Sequence, residues 1–150
     1  MTEKEEDRTE DLNYYRLNLI SMLKSRYPEF LDDEEFISNR SQEAAEAFED
    51  AVRSGSNYLD ASADANRTLY AGLSFSKFDT IFAVLTEEFT KELEEEQFRP
   101  FALKMMPVCE DVFARYELYE NFEDSPEYDA LYTEITGRIV TYIEDNGIDL

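Results

Sequence analysis

Histidine is absent from all 150 residues. That excludes His-containing catalytic triads, Cys–His dyads, helical His-based zinc motifs and the commonest metal ligand together. Glycine is scarce as well, at positions 55, 72, 137 and 147 alone, so the chain has no Gly-rich loop to cradle a phosphate. A single cysteine, Cys109, rules out an internal disulfide and removes any need for an oxidising compartment. No apolar run approaches the ~18 residues of an ordinary transmembrane helix. The opening MTEKEEDRTED is acidic and lacks an apolar segment, so it does not read as a secretory signal, and a cytoplasmic location is the expectation.

Positive charge is the other shortage. Lys and Arg number 14 against 36 Asp and Glu, a formal net charge of −22. A chain of that sign is poorly suited to neutralising phosphates, so neither direct nucleic-acid binding nor docking on anionic membranes is expected. Hydrophobic residues still make up 43%, which is ordinary for a folded protein. The length predicts a single domain burying roughly 68–70% of its unfolded surface.

Along the chain, residues 1–11 carry six acids and two bases without hydrophobic periodicity and read as an acidic flexible lead-in. The remaining residues, 12–150, read as one helical domain. From Leu12 to Tyr27, Leu12, Tyr15, Leu19, Met22 and Leu23 share a helical face, widened by Tyr14, Leu17 and Ile20, and Pro28 ends it. Residues 12–28 hold three bases and no acid, the one electropositive island. Asp32 or Asp33 is placed to cap a helix running to about Ser54, with Phe36, Ile37, Ala44, Ala47, Phe48, Ala51 and Val52 inward and Gly55 as its left-handed terminator. A further helix is expected from Tyr58 to Ala71, with Leu59, Ala65 and Leu69 facing a neighbour.

The stretch LSFSKFDTIFAVLTEEF, residues 73–89, holds Phe75, Phe78, Phe82 and Phe89. Phe78, Ile81, Phe82, Leu85 and Phe89 recur at spacings of three and four, and Ser76 precedes them as an N-cap with Asp79 at the third helical position. This predicts a central helix that the rest must cover. After the polar ELEEE at 92–96, Pro100 is expected to open a helix that Pro107 ends or kinks. Glu117 to Asp124 reads as a loop or one turn. In the last helix Ser125 is expected to cap, Pro126 to occupy the first turn and Gly147 to close, with Tyr128, Tyr132, Ile135, Ile139 and Tyr142 along one stripe. Gly137 within it is expected to mark a close helix contact. No internal repeat, low-complexity tract or strand pattern is present. The fold class is therefore all-α, a compact multihelical domain of about six or seven helices around the Phe-rich one.

Four stretches carry a family resemblance: YYRL at 14–17, GLSFSKFDT at 72–80, FALKMMPVCEDVFARY at 101–116 and SPEYDALYTEITG at 125–137. Together they resemble a domain-of-unknown-function family of small acidic helical proteins, often encoded on bacterial conjugative elements of gut anaerobes. The resemblance implies a compact multihelical fold and cytoplasmic expression. It brings no agreed activity and no catalytic or binding residues to carry over.

Few residues remain as chemical candidates. Cys109, after Pro107, has the position of a thiolate near a helix start, but Val108 and Val112 beside it favour a small buried hydrophobe. Asp60 with Asp64 and Glu43 with Glu46 are paired carboxylates at helical spacing, able in principle to hold Mg²⁺ or Ca²⁺. No calcium loop accompanies them, DNGID at 145–149 being only a faint echo, so a solvated face is favoured. Tyr14 and Tyr15 cannot share one helical face, so one belongs to the core and the other to the surface. Tyr128, Tyr132 and Tyr142 read as core with hydroxyls at its edge, and Met105 and Met106 as core filling before a partner groove. No catalytic, cofactor-binding or metal-binding residue is assigned, and no cofactor.

The charge is uneven: residues 29–64 hold eleven acids and two bases, net −9, and residues 116–150 ten acids and one base, again −9. The favoured function is a non-enzymatic interaction module that meets a basic protein surface, in its sharpest form a DNA mimic, as an accessory protein of a mobile element. The alternatives are a carboxylate-only metal-dependent enzyme or metal-binding protein, and a regulatory or structural subunit whose charge serves solubility alone. The oligomeric state is not legible.

Overall fold

The amides and carbonyls at a helix end have no partner within the helix, so each end is a place where the sequence must stop or cap it. The computed structural model describes residues 3–150, with side chains from residue 11 onward. Among the described residues there are seven α-helices, three short 3₁₀ turns and no strand, so the all-α class is as expected. The chain divides into two compact units, Met1–Leu73 and Ser74–Leu150, each with its own apolar cluster. The Phe-rich helix therefore organises the second unit, while the first closes around different residues.

In the first unit α1 spans Glu3–Arg26, α2 Glu34–Arg53 and α3 Tyr58–Leu69. Residues 1–2 of the expected lead-in lie outside the described residues, and from Glu3 the backbone already belongs to α1, earlier than the Leu12 start expected. Pro28 ends α1 as its ring demands: Tyr27 is displaced to φ −136°, ψ 58°. Tyr15, Leu19, Leu23 and Tyr27 are buried. The Tyr27 hydroxyl donates to the Leu73 carbonyl at 2.8 Å, so a buried tyrosine ties the end of this unit to the end of α1.

Asp33, not Asp32, caps α2, its Oδ1 accepting from the Phe36 amide at 3.1 Å. At the other end Gly55 (φ +97°) forms a Schellman closure, with the Ser56 amide donating to the Ala51 carbonyl and the Gly55 amide to Val52. α2 packs on α1 and α3. Between α2 and α3 the buried residues are small, chiefly Ala44, Ala45, Ala61 and Ala65, with Leu69 beyond them. Two inward expectations fail: Leu59 is 78% exposed because Ala61, Ala65 and Leu69 set the buried register of α3 at steps of four, and Val52 is 48% exposed because the buried register of α2 ends on its neighbour Ala51. Leu17 is also exposed, outside the Tyr15–Leu19–Leu23 line.

The second unit comprises α4 Lys77–Glu88, α5 Phe98–Val108, α6 Glu110–Phe113 and α7 Glu127–Asn146. Ser76 caps α4, accepting from the Asp79 amide at 3.0 Å. Phe78, Ile81, Leu85 and Phe89 are buried as their spacing predicts, joined by Val84, while Phe82 is half-buried and stacks on Phe78 at 5.9 Å. α4 packs against α5 and α7. Pro107 sits in the last turn of α5, which ends one residue later, and α6 restarts after Cys109. The expected loop at 117–124 conceals a core residue: Phe122 is fully buried in a 3₁₀ turn and contacts the rings of Phe75, Tyr116 and Tyr119.

α7 departs from expectation at two points. Ser125 does not cap it; its hydroxyl donates back to the Phe122 carbonyl at 2.6 Å, and the helix begins on Pro126 without a side-chain cap. Gly137 marks no close contact, since a Cβ built there meets nothing within 4 Å. Gly147 does close the helix (φ +69°), its amide donating to Ile143 at 2.7 Å.

Open space around a mid-helix glycine has a direct consequence. Gly137→Ala is expected to raise stability by about 1 kcal/mol through the glycine helix penalty alone. Thermal or urea unfolding checks this, and a lowered midpoint would mean that the helix needs the missing side chain.

Candidate functional site

The paired carboxylates are solvated, as favoured from the sequence. Glu43 is exposed and pairs with Arg40 at 3.8 Å, Glu46 and Asp60 are exposed, and Asp64 pairs with Arg67. In the tail that follows α7, Lys104 of α5 donates to the Asp149 backbone carbonyl, which turns the DNGID stretch back onto its unit. Among the described residues no three of His, Cys, Asp and Glu come together in a way that could hold a metal ion.

Cys109 is fully buried among the second unit's apolar residues. Burial pushes its thiol up to about 12, with Asp111 adding and Arg138 opposing. A thiolate is therefore strongly disfavoured, and the side chain fills space. Met105 is buried and Met106 half-buried in the same cluster, as the core reading anticipates.

The tyrosines divide as predicted. Tyr15 is buried and Tyr14 is 61% exposed, their rings edge-to-face at 5.3 Å. Tyr128, Tyr132 and Tyr142 are half-buried against the second core. The hydroxyl of Tyr132 lies 2.5 Å from Glu87 Oε2 and 3.1 Å from Glu88 Oε1, carboxylates at the end of α4. One phenol has one proton, so it donates to one of these oxygens at a time. Burial raises the Tyr132 pKa above the ordinary phenol value first, and hydrogen bonding to the two glutamates raises it further. Burial likewise raises Tyr128, with Glu87, Glu123 and Asp79 adding their fields and a hydrogen bond with Thr80 opposing. The tyrosine edge of α7 thus meets a carboxylate-rich end of α4, a pairing of distant segments that periodicity does not reveal.

Several bases are engaged in holding the helices together. Arg16 bridges α1 to Glu34 of α2 at 2.7 Å. Arg40 donates to the Leu69 and Ala71 carbonyls at the end of α3 while lying 4.9 Å from the Phe36 ring centre. Lys77 meets Glu110 at 3.2 Å, Arg115 meets Glu134 at 3.4 Å, and Arg138 meets Asp111 at 3.6 Å. The arrangement defines an acidic helical protein in which Arg16, Arg40, Lys77, Arg115 and Arg138 serve its own architecture and the carboxylates are in large surplus.

Comparison with known proteins places the chain. Residues 7–148 match the family model described as a domain of unknown function, DUF1896, and the chain belongs to that family. It is also similar to a solved structure, the crystal structure of protein PG0816 from Porphyromonas gingivalis, at 40% sequence identity and a TM-score of 0.82. That match covers 97% of this chain and 99% of the other. No curated protein matches.

Two measurements follow from this chemistry. At about pH 8, where an ordinary exposed thiol reacts readily, Cys109 is expected to resist a thiol reagent in the folded protein and to label fully after unfolding; fast native labelling would contradict its burial. Tyr132 has a folded pKa above its unfolded value of about 10, so its contribution is complete below that pH and is lost as pH rises through the folded pKa. Tyr132→Phe is expected to cost about 1 kcal/mol near neutrality and to flatten the alkaline loss of stability. Parallel stability–pH curves for parent and variant would show that the hydroxyl contributes nothing.

Proposed function

We propose that this chain is a non-enzymatic interaction protein whose carboxylate surface captures a basic protein partner. The observation that carries the reading is the net charge of −22 on a chain whose Arg16, Arg40, Lys77, Arg115 and Arg138 are turned to internal ties. Fields of that size accelerate encounter with positive surfaces and reject negative ones. The partner class that suits them best is a nucleic-acid-binding protein, because its surface is already built to meet closely spaced negative charge. In that form the chain acts as a DNA mimic. The mobile-element setting implied by the family resemblance would supply such partners in the enzymes that handle incoming DNA.

Affinity capture from a bacterial lysate at two salt concentrations tests this. Basic nucleic-acid-binding proteins are expected at about 0.1 M salt, where the Debye length is ~10 Å, and their recovery is expected to collapse near 1 M, where it is ~3 Å. Added duplex DNA should compete. Recovery indifferent to salt, or no basic protein at the lower concentration, would sink the proposal.

A further inference from the structure

Aromatic rings from all three helices of the first unit line one cavity. Tyr14 and Tyr15 of α1, Phe48 of α2 and Tyr58 of α3 bound a space of about 320 Å³ together with Asp11 and Asn66. Tyr15 is 5% exposed, whereas Tyr14 and Tyr58 are 61% and 71% exposed. The rings are organised in two edge-to-face pairs, Tyr14 with Tyr15 at 5.3 Å and Phe48 with Tyr58 at 5.7 Å between centres. Burial, and then the charge of Asp11, pushes the Tyr15 hydroxyl up to about 12, so negative potential reaches the ring system.

Rings grouped with a carboxylate constitute the chemistry of organic-cation recognition, because each π face is negative and attracts a weakly hydrated cation. The chain uses such contacts elsewhere: Arg26 lies over Tyr27, Arg99 over Phe78 and Lys77 over Phe113. Among the described residues its own cations lie over other rings than those of the cavity. A planar guanidinium suits the space better than an ammonium, since it stacks on rings and sheds water at lower cost, and the Asn66 side chain on the lining carries an amide oxygen that can accept from it.

We infer that this aromatic cavity of α1, α2 and α3 is a binding site for an arginine side chain presented by a basic partner. The inference rests on the basic-partner reading and specifies where that partner is anchored.

Blocked Gly-Arg-Gly, its lysine counterpart and its neutral citrulline counterpart are the probes, titrated while the tyrosine ring resonances are followed by NMR. Saturable shifts at Tyr14, Tyr15 and Tyr58 are expected with the arginine peptide, with at least tenfold weaker binding of citrulline. Tyr58→Ala, at an exposed position, should weaken the arginine peptide at least tenfold with helical circular dichroism unchanged, and Asp11→Asn should reduce its salt dependence. Equal binding of citrulline, or unchanged affinity in a Tyr14→Ala/Tyr58→Ala variant, overturns the site, and equal binding of the lysine peptide overturns the guanidinium assignment. Lysate capture that survives in the double variant removes this site while leaving the basic-partner reading intact. Peptide binding at these rings without any captured basic protein supports the site and removes that reading instead.

Discussion

An ionised carboxylate taken out of water without a partner costs several kcal/mol, and that cost sets the layout of the whole chain. With 36 acidic side chains, every helix must keep a wet side, and the faces left for burial are narrow. Among the described residues the buried polar side chains are Ser41, Ser76 and Thr80, none of them charged. Each has local work. Ser41 donates to the Ile37 carbonyl, Ser76 caps α4, and Thr80 reaches back to the Ser76 carbonyl. These three small hydroxyls thus each find a partner within about one helical turn, whereas the buried Tyr27 hydroxyl reaches across to Leu73.

The scarcity of bases gives each one weight. Exposed ion pairs are individually weak, on the order of 0–1 kcal/mol. Their placement here matters more than their strength, because Arg16–Glu34 joins α1 to α2, Arg138–Asp111 joins α7 to α6, and Arg115–Glu134 joins the turn after α6 to α7. Arg40 goes further by donating to carbonyls that the end of α3 leaves unpaired. Cations employed in this way neutralise few of the carboxylates around them, and the external field is what remains. Architecture and the proposed recognition of a basic partner therefore share one cause.

Much of this was legible before any coordinates. The caps at Asp33 and Ser76, the stops at Pro28, Gly55 and Gly147, and the buried faces of α1 and α4 all follow from interactions spanning fewer than six residues. The misses have a different origin. Phe122 lay in a stretch too short for periodicity to show, and its burial depends on Phe75 and Tyr116 meeting it from other segments. Leu59 and Val52 looked apolar enough to bury, but three-dimensional register assigned the interface to smaller neighbours. Ser125 had the right residue type for a cap, yet its hydroxyl is turned back to donate to the Phe122 carbonyl and accepts from no amide of α7. Of the candidate sites, burial of Cys109 could be read from Val108 and Val112, whereas the meeting of Tyr132 with Glu87 and Glu88 could not.

The sequence by itself determined the all-α class, most of the helix ends (the starts of α1 and α7 apart) and the sign of the surface, because these depend on local backbone sterics and on summed charge. Only the tertiary structure decided that the apolar residues part into two clusters, that the phenylalanine-rich helix belongs to the second, and that Tyr14, Phe48 and Tyr58 line one cavity. Those outcomes depend on which faces meet across tens of residues. Packing of rigid helices has few solutions there, and a one-dimensional pattern does not distinguish among them.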